Sequence, residues 1–275
     1  MSPFRGSIPF AQESTQFRYN VADQVANITF TRPDKLNALT FEGYADLRDL
    51  LYEIPSRGDV RVIILRGEGK AFCSGGDVHE IIGELLKMRS HELLDFTRMT
   101  GEVVKAMREC PVPIVAVIHG MAAGAGSVLA LASDFRIVSR SGKFAFLFTK
   151  VGLAGADMGS AYLLPRLIGL GRATQLLMLG DTISAEMADQ FGLVSALVED
   201  EEIESQLNAL VQRLVEGPAF AYAQTKALLS RELDMSLSGA LELEAMTQAL
   251  LMTTEDYAEF YKAFSEKRSP AWKGR

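Results

Sequence analysis

Two short stretches in the first half of the chain are almost entirely apolar, namely Val60–Leu65 and Ile114–Ile118. Unbroken apolar runs of this length are typical of strands that are covered on both faces, as in a parallel sheet. Elsewhere apolar residues recur at helical spacing, as in Phe41–Glu53, which follows a good N-cap residue in Thr40. The pattern therefore predicts an α/β fold in which buried strands alternate with helices.

The same pattern divides the chain into three parts. Residues 1–15 are polar and contain proline and serine, which predicts a flexible N-terminal arm. Residues 16–200 carry the alternating strand and helix signals and should form the β/α core. Residues 201–275 are almost wholly helical in pattern, with one break at Gly217–Pro218. Because amphipathic helices need a surface to pack on, we expect this last part to mediate self-association.

Composition narrows the function classes. A net charge of −7 argues against a nucleic-acid partner, since phosphate binding needs a basic surface. Cys73 and Cys110 are the two cysteines, so a disulfide framework is excluded and a reducing compartment is favoured. His79, His91 and His119 are scattered without metal-ligand spacing. No signal peptide or apolar run of roughly 20 residues is present, so we expect a cytoplasmic protein without a membrane partner.

Two glycine-containing loops follow the apolar strands, Ala71–Asp77 after the first and Gly120–Gly126 after the second. Each leads into a predicted helix, whose first backbone N–H groups have no partner within the helix. Two such groups that converge on one carbonyl oxygen form an oxyanion hole, in which each donor is worth roughly 3–4 kcal/mol of barrier. For either loop alone, the alternative is that the glycines merely permit a tight turn.

The ordered set of motifs resembles the crotonase (enoyl-CoA hydratase/isomerase) superfamily. The matching segments run in family order from about residue 15 to residue 270. They are Lys35–Leu39, Ala71–Asp77, Gly120–Gly126, Ser133–Asp134, Leu163–Arg166, Gly169, Gly180–Asp181, Ala185–Leu193 and Phe264–Arg268. The resemblance implies a spiral of β-β-α units followed by a helical C-terminal region that builds homotrimers or dimers of trimers. It also implies an acyl-CoA substrate, with coenzyme A as part of that substrate and no separate cofactor.

Carried over by position, the resemblance assigns the two oxyanion amides to Gly76 and Ala125. It places a coenzyme A contact on the Lys35–Leu39 segment, through Lys35, Leu36 and Ala38. It assigns a further contact to Phe264 and Lys267, which in some members of the family reach coenzyme A across a subunit boundary. For Lys267 the alternative is an ordinary solvated lysine on an exposed helix.

The chain departs from the hydratases of that family at both catalytic glutamates, because the corresponding positions hold Val128 and Phe148. Neither side chain can transfer a proton. Asp157 lies in small, apolar company in the segment Gly152–Ser160, where the resemblance to isomerases and to an aryl-CoA dehalogenase expects a working aspartate. Apolar surroundings raise the pKa of a carboxyl and suit it to proton transfer near neutrality. The alternative is that Asp157 caps the helix predicted to begin near Ser160.

The resemblance leaves several activities open, because the superfamily changes its chemistry by exchanging a few pocket residues. We favour the hypothesis of an enoyl-CoA hydratase or isomerase in which Asp157 is the main acid/base. Alternatives are a dienoyl-CoA isomerase, an aryl-CoA dehalogenase, a hydrolase, a decarboxylase or a non-catalytic acyl-CoA binder. Gly120–Gly126 and Tyr222–Lys226 also resemble motifs of a short-chain dehydrogenase. In such an enzyme the glycine loop should follow the first strand, whereas here it comes much later in the chain.

Three further polar residues near the loops are expected to have ordinary roles. Asp77 should cap the helix that follows the first loop. Glu102 on the helix before Pro111 and His79 are expected to be solvated surface groups.

Overall fold

The structure, a computed structural model, describes residues 6, 8–10 and 13–274, and two sheets run through this part of the chain. The strands are β1 (Phe17–Ala22), β2 (Val25–Phe30), β3 (Val62–Gly67), β4 (Ala71–Cys73), β5 (Ile114–Ile118), β6 (Met121–Ala123), β7 (Phe135–Ser139), β8 (Lys143–Ala145), β9 (Thr182–Ser184) and β10 (Ala196–Val198). The first sheet has the order β1-β2-β3-β5-β7-β10 and is parallel except for the β1–β2 hairpin. The second has the order β4-β6-β8-β9, and its β8–β9 pair is antiparallel.

The helices are interspersed with the strands up to residue 198, and the last four helices then follow one another without a strand between them. They are α1 (Phe41–Arg57), α2 (Gly83–Leu85), α3 (Ser90–Glu109), α4 (Ala125–Ala132), α5 (Ser160–Ile168), α6 (Leu170–Leu179), α7 (Ala185–Gln190), α8 (Ile203–Val215), α9 (Ala219–Arg231), α10 (Leu237–Leu251) and α11 (Glu255–Glu266). Successive pairs of strands, β3 with β4, β5 with β6 and β7 with β8, each give one strand to each sheet before the chain enters a helix. This is the predicted spiral of β-β-α units, and the α/β fold class is confirmed.

The two apolar stretches are buried strands, as predicted, and the alternation of side chains explains why both faces are apolar. Ile63 and Leu65 of β3 point into the main core, whereas Val62 and Ile64 join a second cluster on the other face of the sheet. Helix α8 covers that second face. Burying a leucine side chain contributes roughly 1.5–3 kcal/mol, so α8 holds the helical C-terminal region firmly on the sheet.

The structure differs from the sequence expectations in two places. Each glycine-containing loop contains a three-residue strand, β4 or β6, because the two loops pair with each other in parallel. The N-terminal arm is not loose throughout, since Phe10 is buried and its ring stacks on Phe17. The Phe10 N–H also donates to Glu53 Oε2 over 3.0 Å. Residues 1–5, 7, 11 and 12 of the predicted arm lie outside the described residues.

Candidate active site

A cavity of about 190 Å³ opens where α1, α3 and the ends of β4 and β6 meet the segment that precedes α5. Its wall is largely apolar, and Asp157 is the one carboxylate among its lining residues in the described part of the chain. Gly76 and Ala125 line the same cavity. The structure therefore brings together the three residues that the sequence assigned to catalysis.

The two glycine-containing loops touch each other at the bottom of this cavity. A Cβ atom at Gly75 would lie 3.0 Å from the Ala123 carbonyl oxygen and 3.4 Å from Ala125 N, so a side chain there would crowd the second loop. Gly75 also has a φ of +100°, which glycine adopts without strain. A Cβ atom at Gly126 would come within 2.0 Å of the Cys73 carbonyl oxygen. Glycine at both positions is thus what allows the loops to approach.

Among the described residues, backbone pairing leaves an N–H donor without an acceptor on each loop, at Gly76 and at Ala125. Leu39 N donates to Gly75 O over 2.7 Å, and Asp77 N donates to Leu39 O over 2.8 Å. These two hydrogen bonds lie on either side of Gly76 and do not use the Gly76 N–H. Ala125 is the first residue of α4, so its N–H has no acceptor within the helix. Within the described chain neither N–H donates a hydrogen bond to another residue. The cavity thus holds two backbone donors that are available to a ligand.

Asp157 lies half-buried in a segment with two unusual backbone conformations. Its Oδ1 accepts a hydrogen bond of 2.8 Å from the Met158 N–H, and no described residue bonds to its Oδ2. Burial raises the pKa of the carboxyl, and the Met158 N–H opposes that rise. Met158 has a φ of +50°, and Gly159 also has a positive φ. For a non-glycine residue such a conformation costs about 1–3 kcal/mol, and strained residues of this kind cluster at functional sites.

The helix-capping alternative for Asp157 is wrong. The N-cap of α5 is Gly159, and no side chain bonds to the start of that helix. Instead, Ser160 Oγ accepts from the Asp157 N–H over 3.1 Å and donates to Gly155 O over 2.9 Å. Ser160 therefore fixes the backbone of the Asp157 segment, and the carboxylate remains turned toward the cavity.

The two positions where hydratases hold glutamate have different surroundings. Phe148 lines the cavity, so its ring occupies wall that a carboxylate would otherwise provide. Val128 on α4 is fully buried and packs in the main core. Cys73, at the end of β4 in the first loop, is also fully buried, and burial raises the pKa of its thiol to about 12. The thiol therefore stays protonated and is no candidate nucleophile.

The Lys35–Leu39 segment borders the first loop at the cavity rim. Lys35 and Leu36 are exposed, and the Leu36 carbonyl accepts from Ser74 N over 3.0 Å. Ala38 is buried, and its carbonyl accepts from Arg32. Asn37 holds the segment in place, since its Nδ2 donates to Glu68 O over 2.9 Å and to Ala71 O over 2.7 Å.

The remaining sequence candidates lie outside the cavity. Asp77 accepts from the His79 and Glu80 backbone N–H groups, which confirms its capping role, and His79 is exposed. Glu102 accepts a hydrogen bond of 2.7 Å from Tyr52. Phe264 is 73% exposed on α11 and Lys267 ends that helix, so within one chain neither lines the cavity.

The sequence reasoning missed Tyr44, which lies within the helical pattern of Phe41–Glu53. The residue lines the cavity beside Gly76 and Asp157. The signal for it was the hydroxyl, because a tyrosine on the buried face of a helix usually needs a hydrogen-bond partner.

A larger cavity, of about 590 Å³, lies between α5 and the helices α8 and α9. Its buried charges are already paired. Arg136 donates to the carbonyls of Leu193, Ala130 and Ser133. Lys226 Nζ lies 2.7 Å from Asp134 Oδ2. This cavity is therefore a poorer candidate for acyl chemistry than the smaller one.

Two general features of the described chain limit other readings. No helix there is long and apolar enough to cross a membrane. No cluster of three or more His, Cys, Asp or Glu side chains in those residues has the arrangement of a metal site.

Comparisons with known proteins agree on the family to which the chain is similar. A family model described as enoyl-CoA hydratase/isomerase matches residues 20–275. The chain is 32% identical over 256 residues to the 1,2-epoxyphenylacetyl-CoA isomerase of Escherichia coli (strain K12), covering 93% of this chain and 97% of that protein. It is 34% identical over 256 residues to the (E)-benzylidenesuccinyl-CoA hydratase of Thauera aromatica, covering 92% and 97%. A crystal structure of a protein from Streptomyces coelicolor A3(2) superposes with a TM-score of 0.95, at 61% identity and over 100% of both chains.

Proposed function

The chain belongs to the enoyl-CoA hydratase/isomerase family, and we propose that it moves a double bond along an enoyl-CoA through an enolate intermediate. The observation that carries the proposal is the single cavity that holds two free backbone donors and one half-buried carboxylate. Gly76 and Ala125 form the oxyanion hole, and Asp157 moves the proton.

The reaction needs one group that can both take and return a proton. The Asp157 carboxylate removes a proton from a carbon whose C–H bond is acidic because the resulting carbanion is conjugated, through the double bond, with the thioester carbonyl. The bonding electrons shift onto the thioester oxygen, where the Gly76 and Ala125 N–H groups stabilise the charge by roughly 3–4 kcal/mol each. The protonated Asp157 then returns the proton to a different carbon, so the double bond has moved and no atom has been gained or lost.

Hydration is the second candidate, because several relatives are named as hydratases, the Thauera aromatica protein among them. It requires activation of a water molecule in addition to protonation of carbon, for which the hydratases use two glutamates. Val128 and Phe148 supply no carboxylate, and Asp157 stands alone in the cavity wall of the described chain. That observation favours isomerisation over hydration.

The acyl-CoA should enter across the Lys35–Leu39 segment, with Lys35, Leu36 and Ala38 as contacts for coenzyme A. Phe264 and Lys267 lie away from this cavity in one chain, so they are proposed to serve a neighbouring subunit in a homotrimer or a dimer of trimers. Large apolar side chains exposed on the C-terminal helices support such an assembly. They include Leu229, Leu237, Leu241, Leu250, Tyr261 and Phe264.

The test is a panel of straight-chain, branched, dienoyl and aryl enoyl-CoA thioesters, with double-bond migration and water addition measured separately. Asp157→Asn should lower kcat/KM on the best substrate by at least about a hundredfold, because the general base is lost. Asp189→Asn removes an exposed carboxylate outside the cavity and is the matched control. Activity of Asp157→Asn within about threefold of the parent, less than 1 kcal/mol on the barrier, would exclude Asp157 as the base.

A further inference from the structure

Tyr44 is held in the cavity wall by the packing of α1. It lies on the first turns of that helix, whose N-cap residue Thr40 accepts a hydrogen bond of 3.1 Å from Gly43 N. The Tyr44 ring meets Phe96 edge to face, with centroids 6.2 Å apart and planes at 81°. The residue is only 3% exposed, although it lines the cavity. The direction of its hydroxyl is therefore fixed by the fold.

That hydroxyl lies beside the proposed oxyanion hole. A Cβ atom at Gly76 would be 3.6 Å from Tyr44 Oη. The backbone bridge between Leu39 and Gly76 ties the start of α1 to the same loop, so the hydroxyl and the Gly76 N–H keep their relative position.

The hydroxyl also lacks a partner in the described chain. No hydrogen bond of a described residue involves Tyr44 Oη, and Asp157 accepts its hydrogen bond from Met158 instead. Because the hydroxyl borders the cavity, an acceptor bound there can receive its proton. Burial raises the pKa of Tyr44 well above its usual range, and the neighbouring Cys73 and Asp157 side chains raise it further. The group therefore donates a hydrogen bond and does not act as a base.

We propose that the Tyr44 hydroxyl is a third hydrogen-bond donor to the enolate oxygen of the bound acyl-CoA, next to the two backbone amides. This rests on the proposed function, because it assumes that the thioester oxygen binds between Gly76 and Ala125. A neutral donor fits this place, since it stabilises the developing negative charge without pairing permanently with Asp157. Tyr44 would then be a catalytic residue that touches the substrate, separate from the proton carrier.

The experiment uses Tyr44→Phe, which removes only the hydroxyl. The matched control is Tyr52→Phe on the same helix, because Tyr52 is 42% exposed and bonds to Glu102. The probe is a 3-ketoacyl-CoA, whose enolate is recognised by its near-ultraviolet absorbance, titrated with pH while bound. Tyr44→Phe should raise the pKa for enolate formation by the bound 3-ketoacyl-CoA by about one, equivalent to a tenfold weaker preference for the enolate. Affinity for a saturated acyl-CoA, which forms no enolate, should change less than about twofold.

Turnover gives a second readout. Tyr44→Phe should lower kcat by about 10- to 100-fold with little change in KM, whereas Tyr52→Phe should leave both unchanged. The unfolding temperature should stay the same or rise, because the hydroxyl has no partner in the folded chain. An unchanged pKa of the bound 3-ketoacyl-CoA, or a loss of stability that accounts for the loss of activity, would overturn the role of Tyr44.

The two proposals fail differently. If the parent enzyme neither binds the 3-ketoacyl-CoA as an enolate nor isomerises any enoyl-CoA, the proposed function itself is wrong. If the parent does both and Tyr44→Phe behaves like Tyr52→Phe, only the assignment of Tyr44 is wrong.

Discussion

Replacing Ala125 by proline tests the oxyanion hole without touching any side-chain chemistry. Proline lacks a backbone N–H and is well tolerated at the first position of a helix, which is where Ala125 lies in α4. The preceding residue, Gly124, has no Cβ to clash with the proline ring. The substitution should therefore remove one donor from the cavity and leave the helix in place.

The magnitude follows from the unused N–H. Since Ala125 N makes no hydrogen bond to a described residue, folding should lose less than about 1 kcal/mol. The transition state should lose one oxyanion donor, roughly 3–4 kcal/mol, or a factor of about 10²–10³ in kcat. KM should change little, because the ground-state carbonyl carries less charge than the enolate.

The assay is initial-rate isomerisation followed by the absorbance of the conjugated enoyl thioester, with thermal unfolding measured in parallel. Ser90→Pro is the matched control, because Ser90 is the exposed first residue of α3 and lies outside the cavity. A kcat for Ala125→Pro within about threefold of the parent would refute the reasoning. So would a fall in stability much larger than that of the control, since Ala125 N would then have had a structural partner.

Four further predictions concern charge and assembly. Because burial raises the pKa of Asp157 above 3.8, kcat/KM should fall as the pH drops through that raised value, and Asp157→Asn should abolish this acidic limb. The same raised pKa means that the protonated carboxyl favours folding below its unfolded-state pKa, and this contribution is lost as the pH rises through the folded-state pKa. Near pH 7 the buried charge therefore disfavours folding, and Asp157→Asn should unfold at a higher temperature than the parent. Arg136→Met should cost about 3 kcal/mol of unfolding free energy by chemical denaturation, since three buried carbonyls lose their donor, while the exposed Arg213→Met should cost almost nothing. Phe264→Asp should shift the molecular mass measured by light scattering toward the monomer and should also weaken acyl-CoA binding, and an unchanged mass would remove α11 from the proposed interface.

The strands and helices that rest on long apolar patterns could be read from the sequence. Buried strands β3 and β5 were predicted because their residues are apolar on both faces, and the structure has α8 on the face away from the main core. The three-residue strands β4 and β6 were not predicted, because they exist only where two segments about 50 residues apart pair with each other. Their pairing is a tertiary contact that leaves no local pattern.

The candidate site shows the same division. Gly76, Ala125 and Asp157 were predicted from their positions in the family motifs, and the structure brings all three to one cavity, while their roles stay predictions. The capping alternative for Asp157 could not be resolved from the sequence, because it depends on the left-handed turn at Met158–Gly159. Tyr44 was missed because helical periodicity marks a buried face but does not reveal which buried side chain borders an empty space. A cytoplasmic location and the absence of a separate cofactor remain predictions.

The two donors of the proposed oxyanion hole are main-chain atoms, and this affects how the protein tolerates change over generations. Most amino-acid replacements at Gly76 or Ala125 would leave an N–H at the same place, so random substitution rarely deletes the hole. Asp157 and Phe148, by contrast, are side chains on a separate stretch of the cavity wall, and a single codon change replaces either of them. The proposed enolate-stabilising part of the site should thus be inherited almost unchanged, while the side chains proposed to decide the fate of the enolate are free to diversify.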